Sequence, residues 1–374
     1  MKKFLLSILI VGIFFGVSSA DIIYTTTAGN MGLIPIISSR DVSAPLVQYS
    51  GMGKNALAAP FWDGEKSCVI LIDRAEDMTT SSGDAALIFS GKNLTKPTHD
   101  RKTLTGIYDT RGVSYSLNGR SIFLASYLNG TIAEIDTETL EPVHMYVHEN
   151  TGSDDIYTPH AVGVRTDYYY VYGLINSTPE KSEFMRFDGQ LKRDVEIFLS
   201  YNINSEVYSL AEVGNNSYAF PCPDGIRILS NKSINMLMSS DYPVKSVCPD
   251  SSNGFYFVTQ KISGDVSFDV LAHYSDTVST LQEIEAASAC SVVRGSYNVL
   301  AAIVGGKIFM YNMNDDTLLA EFDSEALGGG EPVSAAENGS SGLGSNTSNS
   351  NCDISGAGII LLSACVCVIF RRKE

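Results

Sequence analysis

From Gly112 onward the chain follows a short grammar of strand and turn that few folds can accommodate. Val113 to Tyr115 reads as a strand, Leu117-Asn118-Gly119-Arg120 as a turn and Ser121 to Tyr127 as a second strand. Asn129-Gly130 is the next turn, its glycine free to take positive φ, and Thr131 to Asp136 and Pro142 to Val147 complete a set of four. Four short antiparallel strands in about forty residues make one unit of a radially repeated sheet.

The same order returns downstream in Ala161 to Val164, Tyr168 to Leu174 and Glu183 to Phe187, and again in Val207 to Val213, Ser217 to Phe220 and Ile226 to Leu229. Val244 to Cys248, Gly254 to Thr259 and Phe268 to His273 form another unit, and Ala289 to Val293, Tyr297 to Val304 and Lys307 to Tyr311 the last. Upstream, Ala58 to Phe61, Ser67 to Ile72 and Ala85 to Phe89 surround the turn Asp63-Gly64. Ile22 to Thr27, Leu33 to Ile37 and Ala44 to Gln48 make a first unit that is one strand short. Helical periodicity is nearly absent, and the 19 Tyr and 16 Phe suit strands. A period of roughly 44 residues predicts an all-β fold, a β-propeller of seven four-stranded blades over residues 21–325, although six or eight also fit. One blade cannot bury both of its faces, so the ring must close. Closure predicts that Leu318 to Phe322, or the N-terminal strand, completes the first unit.

The stretch Asn118-Gly119-Arg120-Ser121-Ile122-Phe123-Leu124-Ala125-Ser126-Tyr127, followed by Gly130-Thr131-Ile132-Ala133-Glu134-Ile135-Asp136-Thr137, resembles the repeats of YVTN-type and YncE-like propellers. Only this unit matches well. The resemblance implies the fold and leaves the activity open, because these propellers host many functions.

Residues 1–20 have the grammar of a bacterial signal peptide. Lys2-Lys3 is a positive start, Phe4 to Val17 an apolar stretch, and Ser18-Ser19-Ala20 the small residues that a signal peptidase reads, with cleavage expected after Ala20. At the other end, residues 326–351 are almost all Gly, Ser, Asn, Ala and Glu, which predicts a flexible linker. Cys352 follows, then an uncharged run from Ile354 to Phe370, then Arg371-Arg372-Lys373. The run is long enough for one short transmembrane helix in a tail spanning 352–374, and the basic cluster would stay cytoplasmic and leave everything upstream outside. Cys352, Ser355-Gly356-Ala357-Gly358, the apolar run and the terminal Arg-Arg-Lys resemble the Synergist-type C-terminal sorting signal, which belongs to a group processed by rhomboid-like intramembrane proteases. That resemblance covers about the last 25 residues and implies processing or modification near Cys352. Where that family often carries Gly-Gly, this chain has Ser350-Asn351.

With 42 acidic and 26 basic residues the net charge is −16, which repels nucleic acid and excludes it as a partner. Cys68, Cys222, Cys248 and Cys290 are too scattered for a disulfide framework or a zinc site and read as buried thiols, while Cys365 and Cys367 lie in the tail. No catalytic, cofactor or metal motif stands out. His144 and His148 share a strand face but lie about 13 Å apart at 3.3 Å per residue. Asp154-Asp155 near His160 reads as a solvated loop, Asp315-Asp316 as a hairpin turn, and Trp62 as an aromatic packed on its own blade. The expectation is therefore an exported, envelope-anchored propeller, without cofactor, that binds a protein or glycan through polar connections. Those are Arg74 to Asp84, Lys92 to Leu104, Glu149 to Thr158 and Ile175 to Ser182. The alternatives are an extracytoplasmic lyase or hydrolase working in the central funnel, and a purely structural envelope protein.

Overall fold

The computed structural model describes residues 21–338, apart from 64–65, 76–77, 80, 91–93, 116–119, 148–155, 165–168, 177–180, 188–192, 202–209, 214–216, 231–232, 251–253 and 287–289. Residues 1–20, read above as a signal peptide, and Cys352 and the basic terminus lie outside these residues. Among those described, no helix is long and apolar enough to cross a membrane. Apart from a single 3-10 turn at Ser296–Asn298, all assigned elements there are strands.

The chain begins with β1 (Asp21–Thr26), β2 (Asn30–Ile34), a small hairpin of β3 (Ile36–Ser38) and β4 (Asp41–Val42), and β5 (Leu46–Ser50). Six blades of four consecutive strands follow. The first is β6 (Leu57–Trp62), β7 (Ser67–Asp73), β8 (Gly83–Ser90) and β9 (Lys102–Thr105). The second is β10 (Thr110–Tyr115), β11 (Ser121–Ser126), β12 (Thr131–Asp136) and β13 (Pro142–Val147). The third is β14 (Ile156–Val164), β15 (Tyr169–Asn176), β16 (Lys181–Phe187) and β17 (Arg193–Tyr201). Next come β18 (Ala211–Glu212), β19 (Ser217–Cys222), β20 (Gly225–Ser230) and β21 (Ser233–Ser239). The fifth is β22 (Val244–Pro249), β23 (Phe255–Ser263), β24 (Val266–Tyr274) and β25 (Val278–Glu285). The sixth is β26 (Ser291–Gly295), β27 (Val299–Val304), β28 (Lys307–Asn312) and β29 (Thr317–Phe322). In each, the first strand is innermost and the pairing is antiparallel.

The remaining four-stranded sheet is composite, in the order β30-β1-β2-β5, and takes its innermost strand β30 (Pro332–Asn338) from the far end of the chain. Tyr24 pairs with Ala335 and Asp21 with Asn338, so hydrogen bonds between the two ends fasten the ring. This corrects the sequence reading in two respects. Six units, not seven, run uninterrupted, and the strand that completes the first is neither Leu318 to Phe322, which is the outer strand β29, nor the N-terminal strand. It comes from within the stretch 326–351 read as linker, and its composition explains the misreading. Small, polar residues read as a tether, yet here they pair with β1 and bury Ala335 and Ala336, both 2% exposed. The run Gly328-Gly329-Gly330 is a turn with positive φ at all three residues, and a Cβ on Gly330 would lie 2.5 Å from the Ala28 nitrogen.

Alternate residues of a single strand feed two different cores, which is what stacks the blades radially. On β7, Ile70 and Ile72 pack toward the second blade with Val113, Ile122 and Leu124. Val69 and Leu71 of the same strand pack the other way, against Ile23, Met31 and Leu33 of the composite sheet. On β27, Val299, Ala301 and Ile303 face the composite sheet, and Leu300, Ala302 and Val304 face the fifth blade. Second strands such as β7 and β27 therefore read as near-continuous apolar runs, whereas the outer strand β13 alternates half-buried and exposed positions.

Candidate functional site

Because neighbouring strands alternate in direction, every blade has an entry end, where its innermost strand begins, and an exit end, where that strand finishes. The turn between second and third strands and the crossover to the next blade lie at the entry end. The connections β7–β8, β13–β14 and β15–β16, three of the four long ones marked in the sequence, belong there. The fourth, between β8 and β9, belongs to the exit end. Residues 76–77, 80, 91–93, 148–155 and 177–180 of these connections are outside the described residues.

A charged cluster sits at the entry end where the first blade meets the second. Asp84, at the start of β8, is fully buried, and its carboxylate accepts the backbone N–H groups of Ala75 at 2.8 Å, Asp109 at 2.9 Å and Thr110 at 2.8 Å. Burial pushes the Asp84 carboxyl above its usual range, against the downward pull of those donors. The bonds fix the backbone beside Arg74 and around Asp109, which takes the left-handed conformation at φ 52. Asp109 in turn holds two guanidinium groups. Arg74 Nη1 lies 3.4 Å from Oδ1, and Arg111 Nε donates to Oδ2 at 3.0 Å. Arg74 Nε donates to the Asn55 carbonyl at 2.6 Å, and the Arg111 guanidinium lies 3.4 Å over the Tyr127 ring. Burial lowers the Arg74 pKa, Asp109 raises it and the neighbouring Arg111 charge lowers it again. All three charged side chains remain partly open, with 22%, 16% and 27% of Arg74, Asp109 and Arg111 exposed.

The exit end of the fifth and sixth blades carries a cluster of opposite character. His273 on β24 makes 2.9 Å contacts through both ring nitrogens, Nε2 with Asp250 and Nδ1 with Asp316. Tyr256 stacks on the His273 ring, centroids 4.1 Å apart, and its hydroxyl donates to Asp316 at 2.6 Å. Burial, and after it Asp316, pushes the Tyr256 phenol far above its ordinary value. Each of these four groups is occupied by another, and the cluster reads as a latch between blades. Asp316 is thus more than the hairpin-turn residue the sequence suggested.

Other marked residues fall apart. His144 Nδ1 pairs with Glu134 across β12 and β13 at 2.7 Å, and His148 lies outside the described residues. Asp154 and Asp155 do too, and of Trp62 and His160 only the backbone, in β6 and β14, is described. Cys68 and Cys222 are buried thiols, Cys68 Sγ donating to Asp63 at 3.3 Å and the Cys222 thiol pushed up to about 11 by burial, whereas Cys248 is disulfide-bonded, which corrects its reading as a thiol. Among the described residues no group of three His, Cys, Asp or Glu is arranged to hold a metal ion. The arginine cluster was missed because Arg74, Asp84 and the Asp109–Arg111 pair come from three separate stretches of chain that only the blade junction unites. The one local signal is the Asp109-Thr110-Arg111 run ahead of Gly112.

Against solved structures, the chain overlays a Bacteroides fragilis protein provisionally assigned as a 6-phosphogluconolactonase, with TM-score 0.62 and 10% identity over 86% of this chain and 98% of that one. A Lactobacillus plantarum protein gives 0.60 and 10% over 85% and 99%. The periplasmic gluconolactonase of Pseudomonas aeruginosa gives 0.59 and 9%, again over 85% and 99%. What is shared is the propeller fold. At such identity nothing about substrate carries over. No protein-family model matches the chain, and no curated protein does.

Proposed function

We propose that this chain is exported, cleaved after Ala20, held at the cell envelope by its tail, and binds a protein or glycan partner through the entry end of its propeller. The supporting observation is the contrast between the two ends. At the entry end two partly exposed guanidinium groups converge on one carboxylate beside three of the long connections, whereas the exit-end cluster is closed on itself. Long connections on a rigid scaffold are where recognition resides. The sorting tail with Cys352, Arg371, Arg372 and Lys373 would be handled by a rhomboid-like protease, and the apolar run would place the propeller outside.

The second reading, an extracytoplasmic hydrolase, draws on the gluconolactonase among the similar folds. Its weakness lies in the entry-end carboxylates. Asp109 is committed to two arginines and Asp84 to three backbone donors, which leaves neither as a ready general base. The deciding experiment screens the purified full chain, in detergent, on glycan and envelope-protein arrays and assays it for lactone hydrolysis. Saturable binding that disappears when residues 76–82 are shortened, without lactone turnover, supports the binding reading. Turnover that survives the shortening overturns it.

A further inference from the structure

We propose that Arg74 and Arg111 together form a binding site for a carboxylate group on the ligand that meets the entry end. The inference rests on the reading of that end as the recognition face and adds the chemistry recognised there. Geometry carries it first. The two guanidinium groups meet Asp109 at different oxygens, Arg74 at Oδ1 and Arg111 at Oδ2, so one carboxylate bridges their cationic heads. Neither can fold away: the Asn55 carbonyl holds Arg74 by its Nε, and the Tyr127 ring supports the flat face of Arg111. Asp84 pins the backbone beside both side chains. A site whose donors are already in place loses little freedom when it is filled.

Donor supply points the same way. Arg74 uses Nε and Nη1, and its Nη2 has no partner among the described residues and is not sealed from solvent. A guanidinium edge of this kind matches a planar carboxylate in two parallel hydrogen bonds. A singly charged carboxylate suits the place better than a phosphate dianion, because Asp84 and Asp109 are close and the whole chain carries −16. Two guanidinium groups gathered at one junction contrast with a chain that carries −16 overall.

The test uses the full chain in detergent and titrates sodium glucuronate, glucose and inorganic phosphate by calorimetry or by chemical-shift perturbation. Glucuronate is expected to bind saturably with a dissociation constant of about 1 mM, glucose not to bind, and phosphate to bind more weakly than glucuronate. Arg74→Gln is expected to lose at least tenfold, and Arg74→Lys, which keeps charge but not the fork, most of that. Arg40→Gln, an exposed exit-end arginine paired with Asp315, serves as the control and leaves affinity unchanged. Equal glucuronate affinity in wild type and Arg74→Gln, equal binding of glucose, or tighter binding of phosphate overturns the proposal. Array binding that depends on residues 76–82 but not on Arg74 would sink this inference alone, and array binding indifferent to both would sink the entry-end reading beneath it.

Discussion

Asp84 accepts three backbone N–H groups, one from its own blade and two from the next, so a single buried carboxylate sets the angle at which the first two blades meet. Replacing it by alanine strands those donors, and stranded buried donors cost about 1–3 kcal/mol each when water cannot reach them. Partial rehydration reduces the sum, so Asp84→Ala is expected to lose about 2–4 kcal/mol in denaturant unfolding with an unchanged slope. A loss below about 1 kcal/mol would mean water already serves this junction. Asp224 supplies a pH-dependent case. Its carboxylate accepts from both terminal nitrogens of Arg227, and that bidentate contact holds its pKa below the ordinary value. A lowered folded pKa contributes stability that is present above the unfolded value of about 3.9 and fades as pH falls through the folded one. The acid limb of a stability-versus-pH curve should therefore be shallower below about pH 4 in Asp224→Asn than in wild type. The difference will be modest, since Asp224 is 55% exposed.

At the level of elements, β30 shows how position overrides composition. Its sequence, Pro-Val-Ser-Ala-Ala-Glu-Asn, has one large apolar residue, yet it pairs along the length of β1 and packs Ala335 against Ile22 and Tyr24. A chain ending at Glu331 is expected to melt well below one ending at Asn338 and to lose amide protection in β1 first, as hydrogen exchange would show. Equal melting of the two would mean the ring does not depend on that strand. β7 offers the complementary test, because its alternate residues serve two cores. Ile70→Ala, in the core shared with the second blade, should cost about 2–5 kcal/mol, and Leu71→Ala, in the core shared with the composite sheet, a similar amount. The Asp250–His273–Asp316 latch ties the fifth blade to the sixth in the same cooperative sense.

For the whole molecule, closure by the two ends makes folding all-or-none. A fragment ending at Glu285 lacks the sixth blade and β30, so it leaves Cys248, Tyr256 and Val258 without their packing partners. Such a fragment should aggregate, and a stable monomer by light scattering would contradict a closed ring. Export belongs to this scale too. Fractionation of cells making the full chain should find it cleaved after Ala20 and in the membrane fraction, while a version ending at Asn338 should be released. Cytoplasmic recovery of both would overturn the proposed location.

Fold class was legible in the sequence because strand, turn and strand are local. Asn129-Gly130, Gly305-Gly306 and the apolar runs from Ser67 to Ile72 and from Val299 to Val304 mark themselves within a few residues. What needed the tertiary structure were the features that join distant segments. The pairing of Tyr24 with Ala335 joins residues more than 300 positions apart, and a short run of small residues carries no local mark that tells a strand from a tether. Asp84, Arg74 and Arg111 belong to different strands and connections, and Asp316 meets His273 across a blade boundary. A sequence read one residue after another shows which segments become strands. Which side chains face each other across a blade junction follows only from the radial stacking that buries both faces of every blade.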